Sequence, residues 1–550
     1  MKIKDKRNRN KMKNDHKQEI KQKSTDIYKS EHGPYKIVSF VDLGGDMTKI
    51  KEEFLDNQST NMYYNKQKKQ NFMFIDTTNF SDIETSYITR TSDIVVCVVN
   101  TGKICEKTLL LVKRHLPTCL FVVLNKKFLN GCKKFVAKFL PEQKIVELKN
   151  LLDFLCILKI NPSKISSRPF MVPFSVSKES ENLFTVKGFM KKGPVSDKVT
   201  INGKYNGEIV EIKGDRIYKG QELGMSDENK SEFVTVQDFQ DNEMEIEDYD
   251  ESDFEPESEI NEDENEEDYE DYSQEKEEYP SLIDKYSEYK GIRNISTCDL
   301  PTDKYPEYYK NLLFFQDFKH VKKMITKRQS VIPDNQFLEI VIRVTENISD
   351  NIFVMFGHYE FEEFNTVHNY SFQGAELKTG EKIFVDMGHK ILEVTPTITK
   401  SNNQNLYKRE ELLDTGVITF IAPLAFDIHK ILVFYHNPLR EISRETFLLM
   451  AVHLEIKDRK LYDEVVLKGL PIKIHKRSCT VKRMFYSKEE VLYYKDIKLY
   501  TKNGRSHGFI KKPLGVHGAF KAYFSHPIAS NDKIFMSLYK RAFLEDFSNK

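Results

Sequence analysis

Apolar residues first appear along this chain as short unbroken runs. Tyr35-Lys-Ile-Val-Ser-Phe-Val, Asn71-Phe-Met-Phe-Ile-Asp, Asp93-Ile-Val-Val-Cys-Val-Val-Asn and Cys119-Leu-Phe-Val-Val-Leu-Asn read as strands covered on both faces. Residues 47–55 and 133–139 between and after them carry helical spacing. Strands that alternate with helices predict a parallel sheet between two helical layers. Beyond residue 160 the pattern shortens to β-type alternation. Residues 167–173, 183–195 and 199–212 read as a meander, with Asn-Gly at 202 and again at 206 as hairpin turns. Residues 337–344, 382–388, 417–423 and 430–435 are further strands. The alternations at 480–485 and 520–524, broken by Gly504, Gly508, Gly515 and Gly518, read as a compact all-β module.

Charge redraws this picture. The 550 residues hold 84 basic and 84 acidic side chains, yet residues 227–278 contain 26 acids against two lysines. The remainder therefore carries 82 basic and 58 acidic residues, a net of +24. The acidic run is too charged to pack and is expected to be a disordered insertion, either a solubility segment or a cover for the basic body until RNA displaces it. Residues 1–30, with cations at almost every second position, read as a nuclear-import signal, an arm that folds on nucleic acid, or a solubilising tail. The seven cysteines (Cys97, Cys105, Cys119, Cys132, Cys156, Cys298 and Cys479) include no C-x-x-C pair, which argues against a disulfide framework or zinc site and fits a reducing compartment. No signal-peptide core is present, and no apolar run approaches the ~18 residues of a membrane span. The expected protein is soluble and intracellular.

The parallel-sheet layout is that of a GTPase domain, so its chemical motifs can be checked in turn. A phosphate loop needs G-x-x-x-x-G-K-[ST], whose amides surround the phosphates. Here the place holds Asp42-Leu-Gly-Gly-Asp-Met-Thr-Lys, with Gly44, Gly45 and Thr48 retained but Asp42 and Asp46 facing the nucleotide's own charge. The γ-phosphate-sensing D-x-x-G reads Asp76-Thr-Thr-Asn79, and guanine-specific N-K-x-D reads Asn125-Lys126-Lys-Phe128. Each motif is half kept. Two readings stand: a weak GTP site, or a GTPase-shaped scaffold that holds no nucleotide. No nucleophile, base and acid have a distinctive spacing, and His475, His507 and His517 beside glycine turns are poor metal candidates. No catalytic residue, cofactor or metal is expected.

From residue 467 onward, cations and rings interleave. Lys473, Lys476, Arg477, Arg483, Lys502, Arg505, Lys511 and Lys512 are candidate phosphate contacts, and Phe485, Tyr486 and Phe509 candidate stacking rings. The plain alternative is a barrel with a solvated basic face. Leu470-Pro-Ile-Lys-Ile-His-Lys-Arg-Ser, Met484-Phe-Tyr-Ser-Lys-Glu-Glu-Val-Leu-Tyr-Tyr-Lys, Lys511-Lys-Pro-Leu-Gly-Val-His-Gly and Met536-Ser-Leu-Tyr-Lys-Arg together resemble the C-terminal region of the Bms/Tsr family of ribosome assembly factors. Residues 289–296 and 300–318 resemble the same family, although a Trp familiar there is absent. Within the family the chain resembles the shorter Tsr branch, because the longer Bms branch carries an intact phosphate loop.

That resemblance implies a translational-GTPase-like architecture without catalytic residues. The expected fold class is multidomain α/β plus β, a degenerate P-loop GTPase-like domain followed by β-barrel domains. The expected divisions are a basic extension (1–32), the GTPase-like domain (33–160), the first part of a barrel (161–225), the acidic insertion (226–280), a return segment completing that barrel (281–335), a β-rich domain (336–465) and a basic C-terminal barrel (466–550). The resemblance further implies binding to the pre-ribosomal small subunit, its rRNA precursor and neighbouring assembly factors, as a monomer before joining the particle. It places the protein in the nucleus and nucleolus, and also in the cytoplasm, with no membrane partner. The alternatives are an active GTPase of the same pathway and a translation factor proper.

Overall fold

The computed structural model describes residues 35–44, 47–56, 60–99, 118–124, 126–139, 143–158, 160, 168–180, 182–214, 217–219, 234–235, 281–291, 306–315, 317–328, 330–346, 348, 351–401, 406–426, 430–438, 447–502, 506–529 and 531–547. The expectations for the N-terminal extension and for nearly all of the acidic insertion lie outside these residues.

The first sheet runs β1 (Lys36–Asp42), β2 (Thr60–Asn65), β3 (Gln70–Asp76), β4 (Ile94–Val99), β5 (Cys119–Val123) and β6 (Lys144–Glu147), in the order β2-β3-β1-β4-β5-β6. All pairings are parallel except that of β2, the antiparallel edge. Alternate residues feed opposite layers, as the pleat demands. Val38, Phe40, Phe74, Val96, Val98 and Val122 pack with Leu151 and Leu155, whereas Val41, Val95, Cys97 and Phe121 pack with Cys132 and Val136 of the helix Leu129–Phe139. The expected helix over 47–55 is a short helix, Thr48–Ile50, continuing as a wider turn, Lys51–Leu55.

The second sheet is a barrel. It contains β7 (Phe170–Lys178), β8 (Leu183–Met190), β9 (Lys198–Ile201), β10 (Tyr205–Lys213) and β11 (Ile217–Lys219). After the short pair β12 (Val234–Thr235) and β13 (Leu313–Phe314), it is completed by β14 (Gln336–Val344) and β15 (Met355–Gly357), and β9 pairs with β10 to close it. Completion therefore comes from residues after 335, not from the 281–335 segment. The end of that segment packs on the barrel, with Ile332 in its core and Asp334 accepting the Gly193 N–H at 2.9 Å, but its start binds elsewhere. Leu282 donates its N–H to Glu490 at 2.8 Å and accepts the Tyr494 hydroxyl at 3.1 Å, and Lys290 bridges to Tyr539, all in the C-terminal barrel. One expected turn is also corrected. Asn202 and Gly203, at φ 55° and 70°, form the β9–β10 hairpin turn. Asn206-Gly207 lies inside β10, where a Cβ on Gly207 would press to 3.2 Å from the Arg343 carbonyl and Val199.

Eight strands follow: β16 (Asn365–Lys378), β17 (Ile383–Asp386), β18 (Ile391–Val394), β19 (Thr397–Thr399), β20 (Leu406–Glu410), β21 (Leu412–Pro423), β22 (Lys430–Phe434) and β23 (Phe447–Ile456). Their inward side chains, among them Tyr370, Val385, Ile398, Phe420 and Val433, form one core. The last barrel comprises β24 (Lys460–His475), β25 (Ser478–Lys482), β26 (Leu499–Thr501), β27 (His507–Leu514), β28 (Ala519–Phe524) and β29 (Ile534–Ala542). Its order is β24-β25-β28-β27-β26-β29, closed by β24 with β29. A parallel contact between β20 and β24 joins the two.

The domains meet at buried charge. Arg90, on the helix Asp82–Thr91, is paired with Asp386 of β17, and Arg168 with Glu362. Both pairs are fully enclosed. In the same junction the His358 and His389 rings lie 5.6 Å apart. Burial, then Arg168, holds His358 down at about 3 and His389 well below the ordinary histidine value, with Lys390 adding to both. Burial also lowers His368 to about 3. Between pH ~6.5, where an unfolded histidine titrates, and these depressed values, the unfolded chain takes up protons that the native chain refuses. Stability should therefore fall as pH drops below ~6.5, by up to about 1.4 kcal/mol per unit for each histidine. Denaturant midpoints measured from pH 7 to 5 check this. His389→Leu should reduce the slope by about one proton, and an unchanged slope would mean that His389 already carries its proton in the native state.

Candidate functional site

Ligands of open parallel sheets bind beyond the carboxyl ends of the strands, where β1, β3 and β5 carry the degenerate motifs. The described start of the loop after β1 holds a local turn. The Gly44 N–H, in a loop where such amides would face a phosphate, donates to Asp42 Oδ1 at 2.9 Å, with Gly44 at φ 117°. Asp76, the buried last residue of β3, accepts Thr78 N–H at 3.0 Å and the Thr78 hydroxyl at 2.7 Å, and pairs with Lys51 at 2.8 Å. Thr48 is exposed at the head of its short helix, where Met47 supplies no side-chain cap. Lys51, on the turn that follows, is thus committed to Asp76. A carboxylate already sits on the Gly44 amide, and an incoming phosphate at 4 Å from it would meet repulsion of about 4 kcal/mol at an effective dielectric near 20. Gly45 and Asn125 lie outside the described residues. Lys126 opens the turn Lys126–Phe128, and its side chain is not among those described.

Cys105 and Cys298 lie outside the described residues. Cys97, Cys119, Cys132, Cys156 and Cys479 are free and buried, and burial pushes Cys132 up to about 11 and Cys479 to about 12. Among the described residues no cluster of His, Cys, Asp or Glu could hold a metal ion, and no helix is long and apolar enough to cross a membrane.

The basic residues of the last barrel separate into three places. Lys476 and Arg477 form the tip of the β24–β25 hairpin, where the Arg477 carbonyl accepts the Phe524 N–H at 2.8 Å. Lys502 lies in the β26–β27 turn at the same end, since Gly508 pairs with Phe524 and Ser478 with Tyr523. Lys473 and Lys512 stand on the outer wall between the ends: Lys473 opposes Thr480, Thr480 opposes Lys521, and Lys521 opposes Lys512. Lys511 is the extra residue of the bulge between Ile510 and Lys512. Arg483, after β25, is exposed at the far end. Arg505 lies outside the described residues. The described cations of the set are all exposed, and Lys476 and Arg483 hold left-handed backbone, φ 50° and 66°, that side chains seldom adopt.

The rings divide differently from expectation. Phe485 is a core residue, 4% exposed, stacked on Tyr494 at 5.5 Å and packed on Phe520, so it cannot meet a base. Tyr486 and Phe509 are exposed, and so is Tyr523. Lys521 and Tyr523 were missed in the sequence, although alternation along Ala519–Phe524 places both opposite the buried Phe520, Ala522 and Phe524.

The molecule is thus a GTPase-like α/β domain in which Asp42 accepts the Gly44 amide, joined to β-barrels of which the last presents cations and rings. Residues 273–544 match the family described as 40S ribosome biogenesis protein Tsr1 and BMS1 C-terminal. Over 285 residues the chain is 30% identical to the Pre-rRNA-processing protein TSR1 homolog of Drosophila melanogaster, covering 47% of this chain and 34% of that one. It is 28% identical over 288 residues to the Ribosome biogenesis protein tsr1 of Schizosaccharomyces pombe, covering 47% and 36%, and 27% identical over 282 residues to the human TSR1 homolog, covering 47% and 34%. The matched region spans about a third of the length of these curated relatives. Among solved structures, translation elongation factor SelB of Methanococcus maripaludis aligns with TM-scores of 0.43 without nucleotide and 0.44 with the GTP analogue GppNHp, at 11% and 12% identity, covering 93% of this chain and all of that one. Over residues 273–544 the chain thus belongs with the C-terminal region of the Tsr1 and BMS1 ribosome biogenesis proteins, and the relatives it matches there carry Tsr1 names.

Proposed function

We propose that this chain is a non-catalytic assembly factor that joins pre-ribosomal small-subunit particles and holds their rRNA through its C-terminal barrel. The observation that carries the reading is the outer wall of that barrel together with its hairpin-tip end, which lie in the family-matching region and present Lys473, Lys476, Arg477, Lys502, Lys511 and Lys512 as exposed cations. Neutralising phosphates is the sequence-independent part of nucleic-acid affinity. The names of the relatives supply the pathway: pre-rRNA processing and ribosome biogenesis. The protein acts in the nucleus and nucleolus, with the basic N-terminal run as its import signal, and joins the particle as a monomer beside other assembly factors. Co-sedimentation tests the proposal. The chain should travel with small-subunit precursors, and its association with mature ribosomes alone would favour a translation factor.

The α/β domain serves this role as a scaffold, because Asp42 occupies the Gly44 amide and Lys51 is held by Asp76. GTP and GDP should therefore bind with no useful affinity, and hydrolysis should stay at background. Micromolar, Mg²⁺-dependent GTP binding in a calorimetric titration, abolished on replacing Asn125, would replace the scaffold with a GTPase switch.

A further inference from the structure

The outer wall of the last barrel has an organisation beyond its charge. Antiparallel register places Phe509 of β27 directly opposite Tyr523 of β28, and Tyr523 opposite Ser478 of β25. In the next row, two residues along β25 and β28, Lys512 stands opposite Lys521, Lys521 opposite Thr480, and Thr480 opposite Lys473. A row of rings thus runs beside a row of cations on one face of the sheet, with rows about 7 Å and strands about 4.8 Å apart.

Neither row is explained by the fold. The barrel's interior is filled by Cys479, Val481, Ile510, Phe520, Ala522 and Phe524, while Phe509 is 48% and Tyr523 54% exposed. Like charges directly opposite each other, as Lys512 and Lys521 are, do not favour sheet pairing. An anion with a flat apolar face is the ligand that suits both rows. Double-stranded RNA keeps its bases stacked inside the helix, whereas a single strand offers bases to rings and phosphates to lysines at once.

Resting on the RNA-binding reading above, we infer that the outer wall of β24, β25, β28 and β27 is a single-stranded RNA site. Tyr523 and Phe509 each stack a base, and Lys473, Lys521 and Lys512 hold the adjoining phosphates. An acidic protein segment would engage the lysines but leave the rings unused.

The test is fluorescence anisotropy with the full-length chain and three labelled probes: an unstructured RNA of about ten nucleotides, the same sequence as a duplex, and a glutamate-rich peptide. Tyr523→Ala or Phe509→Ala should weaken single-strand binding about 5- to 150-fold without changing its salt slope, while Tyr523→Phe stays near wild type. Lys512→Gln with Lys521→Gln should lower the slope by about 0.7 per residue. Melting temperatures of the ring variants should match wild type, since both rings are exposed. If the wild-type chain binds single-stranded RNA and the Tyr523→Ala/Phe509→Ala double variant binds it equally well, this site is wrong and the broader RNA reading survives. If the wild-type chain binds no RNA, both fall. Tighter binding of the acidic peptide than of RNA, indifferent to the rings, would assign the wall to a protein partner and overturn the site.

Discussion

Arg90→Met should destabilise the folded chain by about 3–5 kcal/mol, the usual consequence of leaving one member of a buried ion pair alone. The Arg90 guanidinium donates to Asp386 Oδ1 at 3.1 Å and Oδ2 at 2.5 Å, to the Gly388 carbonyl at 2.5 Å and to Ser86 Oγ at 3.1 Å. Burial alone would lower its pKa, but the Asp386 carboxylate reverses that effect and the net direction is up. The Tyr87 ring lies 4.3 Å from the guanidinium carbon and sits over Gly203, where a Cβ would come within 2.3 Å of the ring. The Gly203 carbonyl in turn accepts the Ile391 N–H at 3.0 Å. These neighbouring contacts tie the α/β domain, the second barrel and the β16–β23 sheet together. Methionine fills part of the volume and leaves the Asp386 carboxylate enclosed without its cation. Denaturant midpoints measure the effect. The double variant Arg90→Met/Asp386→Leu should recover most of the stability, because replacing a whole buried pair by apolar groups is often neutral or stabilising. A single variant as stable as wild type would mean that water reaches Asp386. A junction sealed in this way opposes reorientation of the α/β domain.

This junction also shows where the sequence stopped being readable. β1, β3, β4 and β5 are legible because strands buried on both faces must be apolar throughout. The helix Asp82–Thr91 was missed: its sequence is largely polar, yet Thr85, Ser86, Thr89, Arg90 and Thr91 are all buried. Its polar groups are enclosed because another domain lies against them, and no periodicity records a partner hundreds of residues away. A local signal did exist in the capping box of Ser81 and Glu84. β2 escaped for the opposite reason: as the sheet's edge it buries little and shows no alternation. In the last barrel, composition located the cations, but only register distinguishes Phe485 inside from Phe509 and Tyr523 outside. The half-kept nucleotide motifs were visible as text. That Asp42 turns onto the Gly44 amide is a local side-chain-to-backbone turn, which residue order alone does not fix.

Replacing Lys473, Lys476, Arg477 and Lys512 together with glutamine should lower the log–log salt slope of RNA binding by about 3, at roughly 0.7 for each single-strand phosphate no longer neutralised. At about 0.1 M salt that change corresponds to an affinity weaker on the order of 10³-fold. It should fall about equally on RNAs of different sequence, because phosphate contacts fix position without reading bases. Stability should hardly change, since all four side chains are exposed. The hairpin tip gives the sharper discrimination. Lys476 sits at φ 50° in a two-residue turn, a place where glycine or asparagine is the conformational preference, so this lysine is strained. Lys476→Gly relieves the strain and removes one cation. Its melting temperature should equal or exceed that of wild type, while its RNA affinity and salt slope should both fall. Anisotropy titrations at several salt concentrations, paired with thermal melts, separate the two effects. Unaltered RNA binding by the stably folded glycine variant and by the fourfold variant would reduce this wall to a solvated face, and the RNA contact would then have to be sought in the basic N-terminal run.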